Sequence, residues 1–194
     1  MRVGILALQG DFSEHQNMFK RLGVETVLVR TPDQLHELDS LIIPGGESTT
    51  IGKMAVAYGL IEPLRKFGHH KAIWGSCAGA IFLSKDANRD QPLLSLMDIT
   101  IQRNAFGRQL ESFEVDLPIA ILKNGSEENP PFHSIFIRAP LIESFGEGVE
   151  VIAALPDQRI VAVQQGKLLA TSFHPELTED DRFHRYFLKL SEMN

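Results

Sequence analysis

The sequence predicts an α/β protein of three layers: a mostly parallel central sheet, helices on both of its faces, and antiparallel strands at an edge. Three observations predict it. Through the first half, short β-branched runs alternate with longer amphipathic stretches, the pattern of strand and crossover helix. From Leu96 onward the chain turns strand-rich, with Gly, Pro and Asn turns between short apolar runs, as antiparallel additions require. The third is size. A chain of 194 residues, 43% hydrophobic, buries one substantial core and is short for two, so residues 1–194 are read as a single domain.

The elements follow in order. "VGILAL" reads as a strand followed by a helix over Phe12 to Leu22, "VETVLVR" precedes Pro32 to Leu38, "SLIIP" precedes Ser48 to Phe67, and "AIWGS" precedes Cys77 to Ser84. The later strands are "LMDITIQR", "SFEVDLPI", "SIFIRAP", "VEVIAAL", "RIVAVQQ" and "KLLATSF", while "DANRDQP" and "KNGSEENPP" read as exposed loops. Glu179 to Met193 closes the chain as a helix with Phe183, Phe187 and Leu190 on one face.

Composition removes whole classes of function. The net charge of −6 and the lack of any basic run argue against gripping nucleic acid. The first apolar segment ends at Gln9, short for a signal-peptide core, and no run approaches the roughly 18 apolar residues that span a bilayer. A single cysteine permits neither an internal disulfide nor a multi-cysteine metal site. A cytoplasmic protein with no membrane or nucleic-acid partner is expected.

That cysteine lies in "GSCAG", Gly75 to Gly79, the thiol form of the G-x-S-x-G nucleophile elbow, with a strand before it and a helix after it. Such a turn strains the nucleophile's backbone and needs small neighbours, a demand that Gly75 and Gly79 meet. The helix beginning at Cys77 would point its positive end at the sulfur and favour thiolate. The competing reading is a small buried hydrophobe, the usual role of a lone cytosolic cysteine.

Seven histidines compete to be its base. His69 and His70 share a polar turn, and His15, His36 and His184 lie in amphipathic stretches where surface or otherwise satisfied positions suffice. His133 follows a Pro-rich loop with no acid in register. His174 ends a strand and precedes Pro175 and Glu176. Proline would keep that segment extended, so that a carboxylate at 176 projects beside the imidazole and holds its far nitrogen. Cys77, His174 and Glu176 then form a triad; a bland turn at "HPE" is the alternative.

"LIIPGGESTT" invites comparison with a phosphate-binding P-loop, but Gly46 and Gly52 are separated by five residues and Met54 follows Lys53, which breaks that pattern. The paired glycines better suit an oxyanion hole shared by a backbone N–H near Gly46 and the N–H of Ala78. A plain turn capped by Ser48 would also satisfy these residues.

With these elements placed, the chain resembles the class I (triad) glutamine amidotransferases, and within them the glutaminase subunits of two-subunit pyridoxal 5′-phosphate synthases. The likeness covers nearly the whole length and rests on "LALQGDFSEH", "PGGESTT", "GSCAG", "RNAFGRQ", "FIRAP" and "SFHPELTED". It implies that L-glutamine contacts Gly46, Glu47, Ser48, Arg103, Ile137 and Arg138, that no metal or organic cofactor is required, and that ammonia passes to a (β/α)8-barrel synthase subunit. It also puts Gln9 near the oxyanion loop as a candidate partner contact. Another pathway's glutaminase, a different cysteine hydrolase, and a binding module without turnover are the competing readings.

Overall fold

The computed structural model describes residues 1–103, 112–123 and 128–193. Strand and helix alternate first: β1 (Arg2–Leu6), α1 (Phe12–Arg21), β2 (Glu25–Val29), β3 (Ser40–Ile43), α2 (Ser48–Ala57), α3 (Ile61–Gly68), β4 (Ala72–Ser76) and α4 (Ala78–Leu83). The strand-rich part follows: β5 (Ser84–Asp86), β6 (Met97–Gln102), β7 (Ser112–Leu117), β8 (Phe132–Ile137), β9 (Leu141–Phe145), β10 (Glu150–Ala154), β11 (Ile160–Gln165) and β12 (Leu168–Thr171). Helix α5 (Arg182–Glu192) comes last.

The main sheet runs β2-β1-β3-β4-β12-β11-β9-β6-β5, with β10 paired to β11. Strands β2, β1, β3, β4 and β12 are mutually parallel, and the antiparallel pairs begin beyond β12. Successive side chains of one strand point to opposite faces, so each inner strand feeds two cores. Ile42 and Trp74 face Phe19 of α1 and Phe183 and Phe187 of α5. Leu41, Ile43 and Ile73 face Ile51, Leu64 and Phe82 from α2, α3 and α4. The expected three layers follow from that alternation.

Several expectations change in detail. The stretch from Ser48 to Phe67 is two helices, because Gly59 takes φ +66° and closes α2 with a Schellman turn, Leu60 N–H to Ala55 O at 2.8 Å and Gly59 N–H to Val56 O at 3.1 Å. Pro32 to Leu38 yields only a 3-10 turn at Pro32–Leu35. Helix α5 starts at Arg182 rather than Glu179, since Thr178 and Asp180 accept hydrogen bonds that hold residues 178–182 in a turn. Strand β9 was not anticipated: only Ile142 of "LIESF" is buried, too little alternation to signal a strand. Strands β7 and β8 form a separate hairpin, laying Phe113, Val115 and Leu117 over the α5 side of the core. Among the described residues, no helix is long and apolar enough to cross a membrane.

Candidate active site

The parallel strands β1, β3, β4 and β12 all end at one edge of the sheet, where open α/β sheets place their ligands. Strand β4 delivers Cys77, whose φ of 47° and ψ of −104° lie outside the regions a side chain prefers. Its N–H donates to Thr171 O of the adjacent β12 at 2.8 Å, which anchors the strained turn. The two glycines of the elbow are steric necessities: a Cβ on Gly79 would collide with the Ile43 carbonyl, and one on Gly75 with the Gly79 backbone.

From β12 the chain continues to His174, whose N–H is held by Ile135 O of β8 at 2.9 Å. His174 and Glu176 do meet, with Nδ1 to Oε1 at 2.7 Å, although not through the extended segment expected. Pro175–Leu177 is a 3-10 turn, in which proline's fixed φ suits the first position, and the turn folds the carboxylate back onto the ring.

Electrostatics then assign the protons. Burial works against a charged His174, but its hydrogen bonds to Cys77 and Glu176 and its attraction to both outweigh that and raise its pKa to about 11. Burial likewise opposes ionised Glu176, and the neighbouring His15 and His174 reverse the balance and lower its pKa. His174 therefore holds its proton at neutral pH between the sulfur and a buried carboxylate. Asp11 Oδ2 lies 3.6 Å from His174 Nδ1, and burial raises its pKa. Asp11, His174 and Glu176 are close enough to ligate a cation, but a protonated imidazole has no lone pair on the nitrogen a metal would need.

The opposite wall starts where β3 ends. Glu47, not Ser48, caps α2: its carboxylate accepts from Thr49 N–H at 3.3 Å and Thr50 N–H at 2.7 Å, a longer reach from one residue earlier. Glu47 also pairs with Arg103 Nη2 at 2.8 Å. Burial acts to raise its pKa, but the Thr50 hydroxyl, the two N–H groups and Arg103 prevail and hold it at about 2. Arg103 Nη1 donates in turn to Thr49 Oγ1 at 3.0 Å and Gln91 Oε1 at 3.1 Å. Gln9 Oε1 accepts from Glu47 N–H at 2.6 Å, so Gln9 lies against the Gly46–Glu47 turn that leads into α2.

Between the walls is a cleft of about 410 Å³. Gln9, Gly46, Glu47, Ser48, Cys77, Ala78, Arg103, Ile137, Arg138 and His174 all line it, and Glu176 lies behind His174. Arg138 has a φ of 43°, a second strained residue at the same site. Asp11, Ile81 and Leu177 also line the cleft without having been singled out. Gln91 comes from the stretch read as an exposed loop, and no local pattern marks it. Residues 104–109 of "RNAFGRQ" and 124–127 of "KNGSEENPP" lie outside the described residues. His133, read as lacking an acid, stands opposite Asp116 on the hairpin, with Nδ1 to Oδ1 at 2.8 Å.

The histidine that sequence reasoning missed is His15, which is fully buried behind Glu176. A signal existed: His15, Met18 and Phe19 fall on one face of α1, so a polar ring stands at a core position.

Comparison with known proteins identifies the family and the fold. The SNO glutamine amidotransferase family matches residues 5–193. A "Pyridoxal 5'-phosphate synthase subunit PdxT" from Roseiflexus sp. is 56% identical, covering 98% of this chain and 100% of the relative. The protein of the same name from Thermus thermophilus is 53% identical over 97% of each chain. A solved structure described as "Crystal structure of glutamine amidotransferase" superposes with a TM-score of 0.90 at 52% identity, covering 98% of this chain and 99% of its own.

Proposed function

The chain belongs to the SNO glutamine amidotransferase family, and on that premise we infer that it is a glutaminase subunit, hydrolysing L-glutamine to L-glutamate and ammonia for pyridoxal 5′-phosphate synthesis. One observation carries the reading: a single cleft joins the line Cys77, His174, Glu176 to the Glu47–Arg103 ion pair. The first can break an amide. The second offers one charge of each sign, matching the α-ammonium and α-carboxylate of an amino acid head. Ser48, Ile137 and Arg138 complete the substrate contacts.

The Cys77 thiolate attacks the side-chain amide carbon of glutamine. The oxyanion that forms is held by backbone N–H groups near Gly46 and at Ala78, the first residue of α4, whose N–H has no partner within the helix. His174, with Nδ1 committed to Glu176, has Nε2 available to protonate the departing nitrogen, which leaves as ammonia. The resulting γ-glutamyl thioester is attacked by water as His174 takes the water's proton, and glutamate leaves with the thiolate restored. Glu176 keeps its charge throughout and stabilises each imidazolium.

Ammonia that escapes into neutral water becomes ammonium and loses its nucleophilicity, so the user of it is a docked synthase subunit. That subunit is a (β/α)8 barrel working on pentose and triose phosphates, which places the pair in the cytoplasm. Gln9, against the oxyanion loop, is the contact through which docking would act on the site. Residues 1–194 then make one glutaminase domain.

The test is glutamate release from glutamine by the chain alone, with the barrel subunit, and with Cys77→Ala. Release stimulated by the barrel and lost in Cys77→Ala is expected. Release that survives Cys77→Ala sinks the mechanism, and a lack of stimulation sinks the docking.

A further inference from the structure

Glu176 is a fully buried carboxylate, and only one of its oxygens is taken up by His174. A carboxylate left half-solvated in a dry interior is costly, and its orientation is loose. Its second oxygen, Oε2, has no hydrogen-bond partner among the described residues and faces His15 Nε2 at 3.5 Å. The same His15 nitrogen is 3.1 Å from Ser76 Oγ, on the residue that precedes the nucleophile. The other ring nitrogen, Nδ1, is 3.0 Å from His184 Nε2 on α5. Trp74 closes the group, packing edge-on against both imidazoles.

The tautomers follow from what each nitrogen meets. His184 Nδ1 is buried with no hydrogen-bond partner. A buried lone pair without a partner is tolerated better than a buried N–H without one, so the His184 proton belongs on Nε2. That N–H donates to His15 Nδ1, which must then be bare. The single proton of neutral His15 is thereby driven to Nε2, on the side of Glu176 and Ser76. Both rings are neutral because burial depresses their pKa values. The Nε2–H then meets Ser76 Oγ at 3.1 Å, with the carboxylate oxygen just beyond at 3.5 Å.

We propose that His15 is a positioning residue of the triad, its Nε2–H fixed in place by His184 and Ser76 and set opposite the otherwise unpartnered second oxygen of Glu176, so that attraction to this dipole keeps the acid oriented towards His174. The proposal rests on the glutaminase reading above. The titratable groups facing this cluster are His174 on Glu176, Asp11 across His174, Glu14 near His15 on α1, and Arg21 near His184.

Two substitutions separate positioning from packing. In His15→Asn the amide replaces Nδ1, keeping the contact with His184 and losing the reach to Glu176; in His15→Gln the amide replaces Nε2 and keeps that reach. With the barrel subunit present, His15→Asn is expected to lower kcat roughly 10- to 100-fold with KM for glutamine within about threefold, as for lost outer partners of catalytic ligands. Its acid limb should move up by about one pH unit, because Glu176 loses a dipole that favours its charged form. His15→Gln should recover most of both changes. Equal kcat and pH profiles for the two variants overturn the proposal, whatever their melting temperatures. If neither variant folds, nitrogen NMR of the histidine-labelled wild type decides: protons on Nε2 of both His15 and His184 support the proposal, and a proton on His15 Nδ1 overturns it. A wild type with no glutamate release would instead sink the glutaminase reading on which the proposal rests.

Discussion

Two carboxylates sit on opposite sides of one cleft, each held below its ordinary pKa, and they reach that state by different routes. Glu47 is about half exposed and is kept near 2 by the first turn of α2, the Thr50 hydroxyl and Arg103. Glu176 is sealed from solvent and is kept ionised by the two neighbouring imidazoles and its own backbone N–H. Water can stand in for any partner Glu47 loses, so Glu47 and Arg103 can part and lend their charges to a ligand. Nothing can stand in for the partners of Glu176. The front wall is built to exchange contacts and the rear wall to keep them.

Substitutions that break this contrast should rank by side. The largest effect is expected in the rear, where Glu176→Gln should cut kcat by roughly 10⁴-fold while leaving KM for glutamine nearly unchanged, as when the acid of a triad is neutralised in place. Steady-state glutamate release with the barrel subunit measures both constants. The front should answer in the opposite parameter. Arg103→Ala removes charge-assisted hydrogen bonds worth about 1.5–3 kcal/mol, so KM should rise roughly 10- to 100-fold with the smaller change in kcat. A kcat loss in Arg103→Ala as large as that of Glu176→Gln would erase the distinction between the walls.

Acid stability sharpens the contrast further. His15 and His184 are buried neutral, with folded pKa values below the ordinary 6.5. For such groups the unfolded chain binds protons first, so stability present above pH 6.5 is lost as pH falls below it. Between pH 6.5 and 5, His174 and Glu176 contribute little slope. His174, raised to about 11, is protonated in both states there, and its contribution is lost only as pH rises through 6.5 to 11. Glu176, lowered, loses its contribution only below about 4.5. Denaturant melts of His184→Phe should therefore lose up to one proton's worth of slope in this window, about 1.4 kcal/mol per pH unit. A slope equal to wild type would mean that His184 is charged in the fold. The smallest effect is expected for Gln91→Ala, a neutral contact supporting Arg103 from a loop. KM should rise about two- to tenfold with kcat unchanged.

How much of this was legible depends on how far apart the interacting residues lie in the chain. The elbow could be read directly, since strand, strained residue and helix follow one another and the small neighbours are adjacent. His174 and Glu176 could be read as an interacting pair two residues apart, but the extended geometry assigned to them was wrong: Pro175 starts a turn as readily as it continues a strand. The split of the long helix at Gly59 was marked by a glycine that went unused, and β9 carried almost no alternation to find.

By itself, the sequence determined the layered α/β plan, the tight turn at Cys77, the adjacent candidates His174 and Glu176, and the glycines that turn needs, because those depend on periodicity and on short-range sterics. Only the tertiary structure decided what stands behind and across from them. His15 meets Ser76 across 61 positions and His184 across 169, and Arg103 meets Glu47 across 56. No local rule ties such residues together. They meet because α1 and α5 pack on one face of the sheet while α2 begins at its edge, and burial then fixes which of them carry charge.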